Sequence, residues 1–457
     1  MASEVPPVHT AEAPFHVLTK PNGPACNLGC EYCFYLEKAQ LYPEGSTFEM
    51  AEDTLETFIR QYIEGQPGPV VSFAWQGGEP TLLGVEFFRK VVEFQEQHTP
   101  ENMWVENAIQ TNGTLLDDEW CEFLAENEFL VGISIDGPPE LHNRYRKTRT
   151  DGSTFETVKN GLDQLQTHDV DHNVLCVVNA VNSHHPEEVY SFFKSQGVQW
   201  LQFIPLVEPL DIQRDDEHPD LSSPEVQAQE ETDKDDCEWV QSMPTWVRDC
   251  GGCVTEHDEQ FSEVVTAARS AEVSVRSVDS VDYGNFMRTI FDEWVRNDMG
   301  EVSIRLFDQC LERVFHHRAS LCVFDETCGS QVAIEHNGDL YACDHFVDPG
   351  FKRGNIHDTH VVELIESPEQ QQFGKYKRDG LPERCNTCNV REFCHGGCPK
   401  NWELITPAGE GGLNHLCAGY RLLFTYVQPY LDLIEEKVAS GLPIPYAMDA
   451  VHTYDSK

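Results

Sequence analysis

The sequence predicts an α/β fold built on a parallel sheet, and three observations carry that prediction. From Phe15 to about Leu206, short apolar runs of strand type alternate with amphipathic stretches of helical period. Six strands alternating with helices demand crossover connections, which are right-handed and pack helices on a parallel sheet. The turns of unusual composition all fall at strand C-terminal ends, the edge that hosts active sites in barrels and open α/β sheets. Periodicity alone leaves a doubly wound sheet and a partial barrel both open.

The elements follow in order. Phe15 to Thr19 is the first strand, and Ala51 to Glu64 the first helix, with apolar residues returning every three or four positions. Val70 to Trp75, Met103 to Thr111, Leu130 to Ile135, Val174 to Ala180 and Trp200 to Ile204 are the further strands, rich in β-branched and aromatic residues. Between them, Val85 to His98, Asp117 to Glu126, Thr154 to Thr167 and Pro186 to Ser195 carry the helical period. Asp211 to Asp236 differs in kind: 11 of its 26 residues are Asp or Glu, which suits a solvated insertion. Phe261 to Phe315 reads as mostly helical, with a stripe through Phe286, Ile290 and Trp294; Leu321 to Gly419 is loop-rich and dense in Cys; Tyr420 to Val438 closes the chain as an amphipathic helix. The expected segments are therefore 1–210, 211–256, 257–320, 321–422 and 423–457. No internal repeat is visible.

Of the 457 residues, 78 are acidic and 32 are Lys or Arg, a net charge of −46. A 40% hydrophobic fraction with 25 Phe, 14 Tyr and 8 Trp argues for a folded chain, so the acid coats a surface. Such a surface repels phosphate backbones and anionic headgroups, which excludes nucleic acid and membrane as partners. Dispersed acid resembles the habit of salt-loving organisms more than a binding tail. It predicts a need for salt, because the Debye length falls from ~30 Å at 0.01 M to ~3 Å at 1 M. Unfolding midpoints should rise between dilute buffer and molar potassium chloride; a flat response would return the acid to a partner-binding role. Residues 1–10 lack the basic flank and apolar run of a signal peptide, and no run of about 18 apolar residues occurs, so a cytoplasmic protein is expected.

Seventeen Cys in such a protein point to metal rather than disulfides. Cys26, Cys30 and Cys33 form C-x3-C-x2-C after the first strand. Three thiolates leave one iron of a [4Fe-4S] cluster open to a ligand; zinc completed by a distant His, or unrelated thiols, is the alternative. Cys322, Cys328 and Cys343 form C-x5-C-x14-C, and Cys385, Cys388, Cys394 and Cys398 form C-x2-C-x5-C-x3-C, followed by Cys417. These eight thiols make two four-cysteine sites, with spacings that suit clusters better than paired zinc ribbons. Cys121 and Cys176 sit in helix and strand patterns as small hydrophobes, and Cys310 is unassigned. Cys237, Cys250, Cys253 and His257, in the insertion, form a zinc-like C-x12-C-x2-C-x3-H or a reduced loop.

The segment Cys26-Asn27-Leu28-Gly29-Cys30-Glu31-Tyr32-Cys33-Phe34-Tyr35, followed by Gly77-Gly78-Glu79-Pro80, resembles the radical S-adenosylmethionine (SAM) superfamily. The resemblance implies a partial (βα)6 TIM-like barrel over about Phe15 to Leu206, with SAM chelated by the open iron and cleaved to a 5′-deoxyadenosyl radical. It also implies SAM contacts at Tyr32, Gly78, Ser134, Arg146 and Leu206, with Gly77 and Gly78 letting backbone approach the methionine. Arg146 has Arg144, Lys147 and Arg149 as neighbours and would otherwise read as one surface cation among several.

The C-terminal cysteines resemble a twitch-and-SPASM extension. That likeness implies one auxiliary [4Fe-4S] cluster on Cys322, Cys328, Cys343 and Cys398 and another on Cys385, Cys388, Cys394 and Cys417, making three clusters in all. Asn337-Gly338-Asp339-Leu340-Tyr341-Ala342-Cys343-Asp344-His345-Phe346, Phe393-Cys394-His395-Gly396-Gly397-Cys398-Pro399 and Gln110-Thr111-Asn112-Gly113 resemble the anaerobic sulfatase-maturating enzymes. That family oxidises Cys or Ser in an unfolded sulfatase segment to Cα-formylglycine, drawing on an electron donor such as ferredoxin or flavodoxin. Asp344, next to ligand Cys343, matches its proton acceptor. Two rivals remain: a relative that cross-links ribosomal peptides through thioether or C–C bonds, and a non-catalytic iron-sulfur or zinc scaffold. Against the first, only about 14 residues precede the first strand, too few for a precursor-binding domain; against the second, a scaffold has no use for an open-iron triad.

Overall fold

A computed structural model describes residues 9–210, 259–316 apart from 270 and 272, 320–406 and 408–442. The acidic insertion and Cys237, Cys250, Cys253 and His257 lie outside the described residues. The chain forms two compact units. The first comprises 1–177, 191–204 and 326–380; the second comprises 178–190, 205–325 and 381–457. A unit boundary falls between Asp325 and Glu326, and 326–380 belongs with the N-terminal strands.

The sheet of the first unit contains β1 (His16–Lys20), β2 (Val70–Trp75), β3 (Trp104–Thr111), β4 (Leu130–Ser134), β5 (His172–Val178) and β6 (Trp200–Pro205), in that spatial order. Pairing from β1 through β5 is parallel. The helices between them are α1 (Glu52–Gly65), α2 (Val85–His98), α3 (Asp118–Glu126), α4 (Pro139–Tyr145), α5 (Phe155–Thr167) and α6 (Pro186–Ser195). Six strands in sequence order with helices between them agree with the partial barrel that the resemblance implied. α4 was not expected: seven residues opening on a proline pair are too short to show a period.

Three further strands extend the sheet past β1. β7 (Gln331–Glu335) runs parallel to β1 in the register His16↔Gln331 to Lys20↔Glu335, and β8 (Asp339–Tyr341) and β9 (Lys352–Asn355) continue antiparallel. The turn at Asn337-Gly338-Asp339, with Gly338 at φ 83°, joins β7 to β8 as a tight hairpin. The Gln61 side chain on α1 donates to Ile356 O (3.0 Å) and accepts from Val361 N (2.9 Å), which ties this extension to the barrel.

Burial explains why these residues choose these elements. β2 alternates sides, and Phe73 and Trp75 stack at 5.8 Å beneath Phe58 and Tyr62 of α1 and Phe88 of α2. All five rings are at most 1% exposed, and each contributes about 1.5–3 kcal/mol on burial. Asp117 caps α3 by accepting from Trp120 N at 3.0 Å, which stabilises the helix start by about 1 kcal/mol. Cys121 and Cys176 are fully buried, as small hydrophobes.

In the second unit, helices Glu259–Arg269, Ser280–Glu293 and Arg305–His316 and the long closing helix Cys417–Ala439 bear out the helical reading. Phe286, Ile290 and Trp294 are buried as the stripe required, and Cys310 on the helix Arg305–His316 is buried too. Gly284 and Gly419 let two helices touch: a Cβ on Gly419 would lie 2.0 Å from Ser280 O. That contact fixes the start of the closing helix, where Cys417 sits. Among the described residues no helix is long and apolar enough to cross a membrane.

Candidate active site

The Cys26–Cys33 loop leaves β1 and is clamped from two sides. The turn after β2 holds its first part: Gly78 N donates to Gly23 O (2.8 Å) and Glu79 N to Ala25 O (2.8 Å). A Cβ on Gly78 would lie 2.0 Å from Ala25 O, so glycine here is required by the cysteine loop's own backbone. The turn after α4 holds the rest: Gly29 N donates to Lys147 O (2.9 Å), Glu31 N to Tyr145 O (3.0 Å), and the Arg149 guanidinium to Cys26 O (2.8 and 2.6 Å).

Glu79 is the strut of this edge. Fully buried, it accepts from Thr81 N (3.1 Å) and Oγ1 (2.6 Å), Thr111 Oγ1 (2.6 Å) and Asn112 N (2.7 Å). Burial pushes its carboxyl up, and these donors pull it back toward the ionised form. Asn112 in turn donates to Asn27 Oδ1 (2.9 Å) and toward Cys26 Sγ (3.7 Å), which also receives Leu28 N–H at 3.4 Å. Burial pushes the Cys26 thiol up to about 11, against the pull of Leu28 N–H. Cys26, Cys30 and Cys33 are each partly exposed, and the first feels the charge of the other two, an arrangement that fits three ligands around one cluster.

Arg146 is no surface cation. It is 7% exposed, and its Nε pairs with Asp136 Oδ2 at 3.1 Å, the same oxygen to which Tyr32 donates at 2.5 Å. Asp136 Oδ1 accepts from Val177 N (3.0 Å). His142, pushed down to about 3 first by burial and then by Arg146, is neutral and accepts from Asp136 N at Nδ1 (3.3 Å). Its Nε2–H then faces Thr154 Oγ1 (3.1 Å), which donates to Arg146 O (2.9 Å). Two of the residues expected to contact SAM, Tyr32 and Arg146, are thus gathered beside Cys30, whose thiol burial raises and Arg146 lowers. Ser134 is held at the end of β4 by Gln110 Nε2 (3.0 Å). Leu206 is buried in the second unit.

Asp344 lies on a short turn after β8 and forms an ion pair with Lys20, the last residue of β1. Its neighbour His345 packs edge-on against Phe34 with ring centroids 5.9 Å apart, and Cys33 packs on the cluster of Tyr35, Ala333, Tyr341 and Val347. The Cys343-Asp344 turn and the triad loop therefore meet within one unit.

The auxiliary cysteines divide between the units. Cys328 and Cys343 lie in the first, where the buried Gln370 side chain donates to Gly329 O (2.9 Å) and Ala342 O (3.0 Å), tying the two segments together. Cys322 and Cys398 lie in the second. Cys385, Cys388, Cys394 and Cys417, also in the second, line one pocket with Gly396, Leu413 and Asn414. Four thiols around that space, with Cys417 pushed up to about 12 first by burial and then by Cys385 and Cys388, fit the ligand set of a cluster.

Sequence reasoning missed Asp136, Arg149, Lys20 and the role of Glu79. The signals in the sequence were the segments Ser134-Ile135-Asp136-Gly137-Pro138 and Gly77-Gly78-Glu79-Pro80, each at the C-terminal end of an expected strand.

Comparison with known proteins agrees with this site. The Radical SAM superfamily model matches residues 23–193, and the SPASM model, an iron-sulfur cluster-binding domain, matches 322–389. Fold and site thus define a radical SAM enzyme that binds SAM and [4Fe-4S] iron-sulfur clusters. The serine-type anaerobic sulfatase-maturating enzyme of Bacteroides thetaiotaomicron is 38% identical over 93% of this chain and 92% of its own. The cysteine-type enzyme of Clostridium perfringens is 32% identical over 92% and 97%. The chain belongs to the anaerobic sulfatase-maturating enzyme family. The solved structure of native anSMEcpe with bound AdoMet superposes with a TM-score of 0.73, at 31% identity, over 93% of this chain and 100% of that one. Streptococcus suis SuiB, at 14% identity and a TM-score of 0.52, shares the fold alone.

Proposed function

We infer that the chain is a radical SAM dehydrogenase that oxidises a Cys or Ser side chain of a sulfatase to Cα-formylglycine. The observation that supports this reading is the meeting of the Cys26–Cys33 loop with the turn that bears Cys343 and Asp344. When bound, SAM and the open-iron cluster supply a 5′-deoxyadenosyl radical. The chain's own residues do the rest. Tyr32, Gly78, Ser134, Arg146 and Leu206 are the proposed SAM contacts, with Asp136 orienting Tyr32 and Arg146. Asp344 takes the thiol or hydroxyl proton. Cys322, Cys328, Cys343 and Cys398, and Cys385, Cys388, Cys394 and Cys417, hold the two auxiliary clusters. The substrate is an unfolded sulfatase segment, the electron donor is of the ferredoxin or flavodoxin kind, and the setting is cytoplasmic.

Anaerobic incubation with reductant, SAM and matched Cys- and Ser-containing sulfatase peptides should give formylglycine in at least one, read by mass spectrometry. A cross-linked peptide, or intact peptide alongside 5′-deoxyadenosine, would overturn the reading.

A further inference from the structure

Lys20 is 1% exposed, and an ammonium so buried must be partnered. Its Nζ makes three contacts: the ion pair with the Asp344 carboxylate, a hydrogen bond donated to Gln76 Oε1 (3.0 Å), and the face of the Tyr35 ring, 4.5 Å from the centroid. The Tyr35 hydroxyl donates to Glu335, itself fully buried and paired in register with Lys20 across β1 and β7. Tyr35 stands two residues past Cys33, and Gln76 immediately precedes the Gly77-Gly78 turn that clamps the triad loop. One cation thus joins the strand that launches the triad, the turn that clamps it, and the acid beside Cys343.

We propose that Lys20 is the positioning residue for Asp344, holding its carboxylate at the substrate side chain and away from the metal centre that Cys343 serves. A carboxylate next to a ligand cysteine is itself an oxygen donor for iron, and on a three-residue turn it has freedom to swing. The buried cation removes that freedom. Gln76 and Tyr35 hold the ammonium, and β1 holds the lysine stem. The inference rests on the reading of Asp344 as proton acceptor.

The test compares full-length, reconstituted wild type, Lys20→Met and Asp344→Asn with one sulfatase peptide. Lys20→Met should keep wild-type iron content and the wild-type dissociation constant for a fluorescein-labelled peptide. Its kcat for formylglycine should fall about 10²-fold at the low end of a lost general base, while KM moves little. 5′-Deoxyadenosine should accumulate in excess of product, since hydrogen abstraction continues without the proton's departure. A merely structural role would lower iron, SAM cleavage and product together. If Lys20→Met fails to load clusters, Lys20→Gln, which can hydrogen-bond Asp344 and Gln76 without charge, decides by the same ratio. Wild-type coupling of product to 5′-deoxyadenosine in the deciding variant overturns the proposal. Full product from Asp344→Asn would instead remove the reading beneath it; loss there with full coupling in the Lys20 variant removes this inference alone.

Discussion

Asp344→Asn is expected to abolish most formylglycine formation while leaving the metal centres intact. Hydrogen abstraction at Cβ yields a substrate radical that becomes an aldehyde from Ser, or from Cys a thioaldehyde that water converts to the aldehyde with loss of sulfide, only when one proton and one electron also leave; an auxiliary cluster held by Cys343 would supply the electron acceptor. The proton needs an acceptor within hydrogen-bond reach; Asp344 directly follows Cys343, pairs with Lys20, and its neighbour His345 packs on Phe34 at the end of the triad loop. The Lys20 ammonium beside it favours the ionised carboxylate of Asp344, and a thiol near ~8.5 gives its proton more readily than an alcohol does. The amide cannot accept it. Product yield should fall ~10²- to 10⁴-fold, the range for a lost general base, with a larger loss on a Ser peptide than on a Cys peptide. Iron content and SAM binding should stay at wild-type levels. The measurement is product mass against 5′-deoxyadenosine for both proteins, and wild-type yield from the Asn variant would leave Asp344 only its ion pair with Lys20.

The other large effect concerns the triad. Anaerobically reconstituted wild type should hold about twelve irons and twelve sulfides, four per cluster. Replacing Cys26, Cys30 and Cys33 together by Ala should remove about a third of each, and all SAM cleavage. The auxiliary ligands should be retained, because Gln370 ties the Cys328 and Cys343 segments together and the contact of Gly284 with Gly419 fixes the start of the helix that bears Cys417. Iron near four per wild-type chain, with zinc making up the balance, would show that the C-terminal thiols hold another metal.

How far the molecule could be read beforehand depended on the range of each interaction. The βα alternation is a local signal, written every two or every three to four residues, and its elements stand within a few positions of expectation. The triad is equally local, since three ligands on one loop need a fixed short spacing. Lys20 was invisible for the opposite reason. The first strand was expected to stop at Thr19, and a lysine at a strand end normally reaches water; only Asp344, Gln76 and Tyr35, drawn from three distant segments, make it a buried residue. Asp136 was hidden likewise, its partners Tyr32, Arg146 and Val177 lying up to 104 positions away. The segment after Leu321 was expected to be loop-rich, and it contains β7, β8, β9 and the helix Pro368–Asp379 as well. Those strands are three to five residues long, too short to display a period against a background of cysteine and glycine.

The pairing of β1 with β7 carries a consequence for biosynthesis. The first strand emerges from the ribosome long before its partner, and at ~5–20 residues per second the ~300 residues between them take roughly 15–60 s to make. Throughout that interval one edge of β1 has no neighbour, and such an edge is a template for pairing with other chains. Lys20 has neither Asp344 nor Glu335 to meet, and the triad loop lacks its wall of Tyr341 and Val347. Maturation of the nascent enzyme is thus gated by translation of its last third: a chain cut short before Gln331 should carry every triad cysteine yet remain prone to aggregate, with its sheet unfinished at the strand where the chemistry begins.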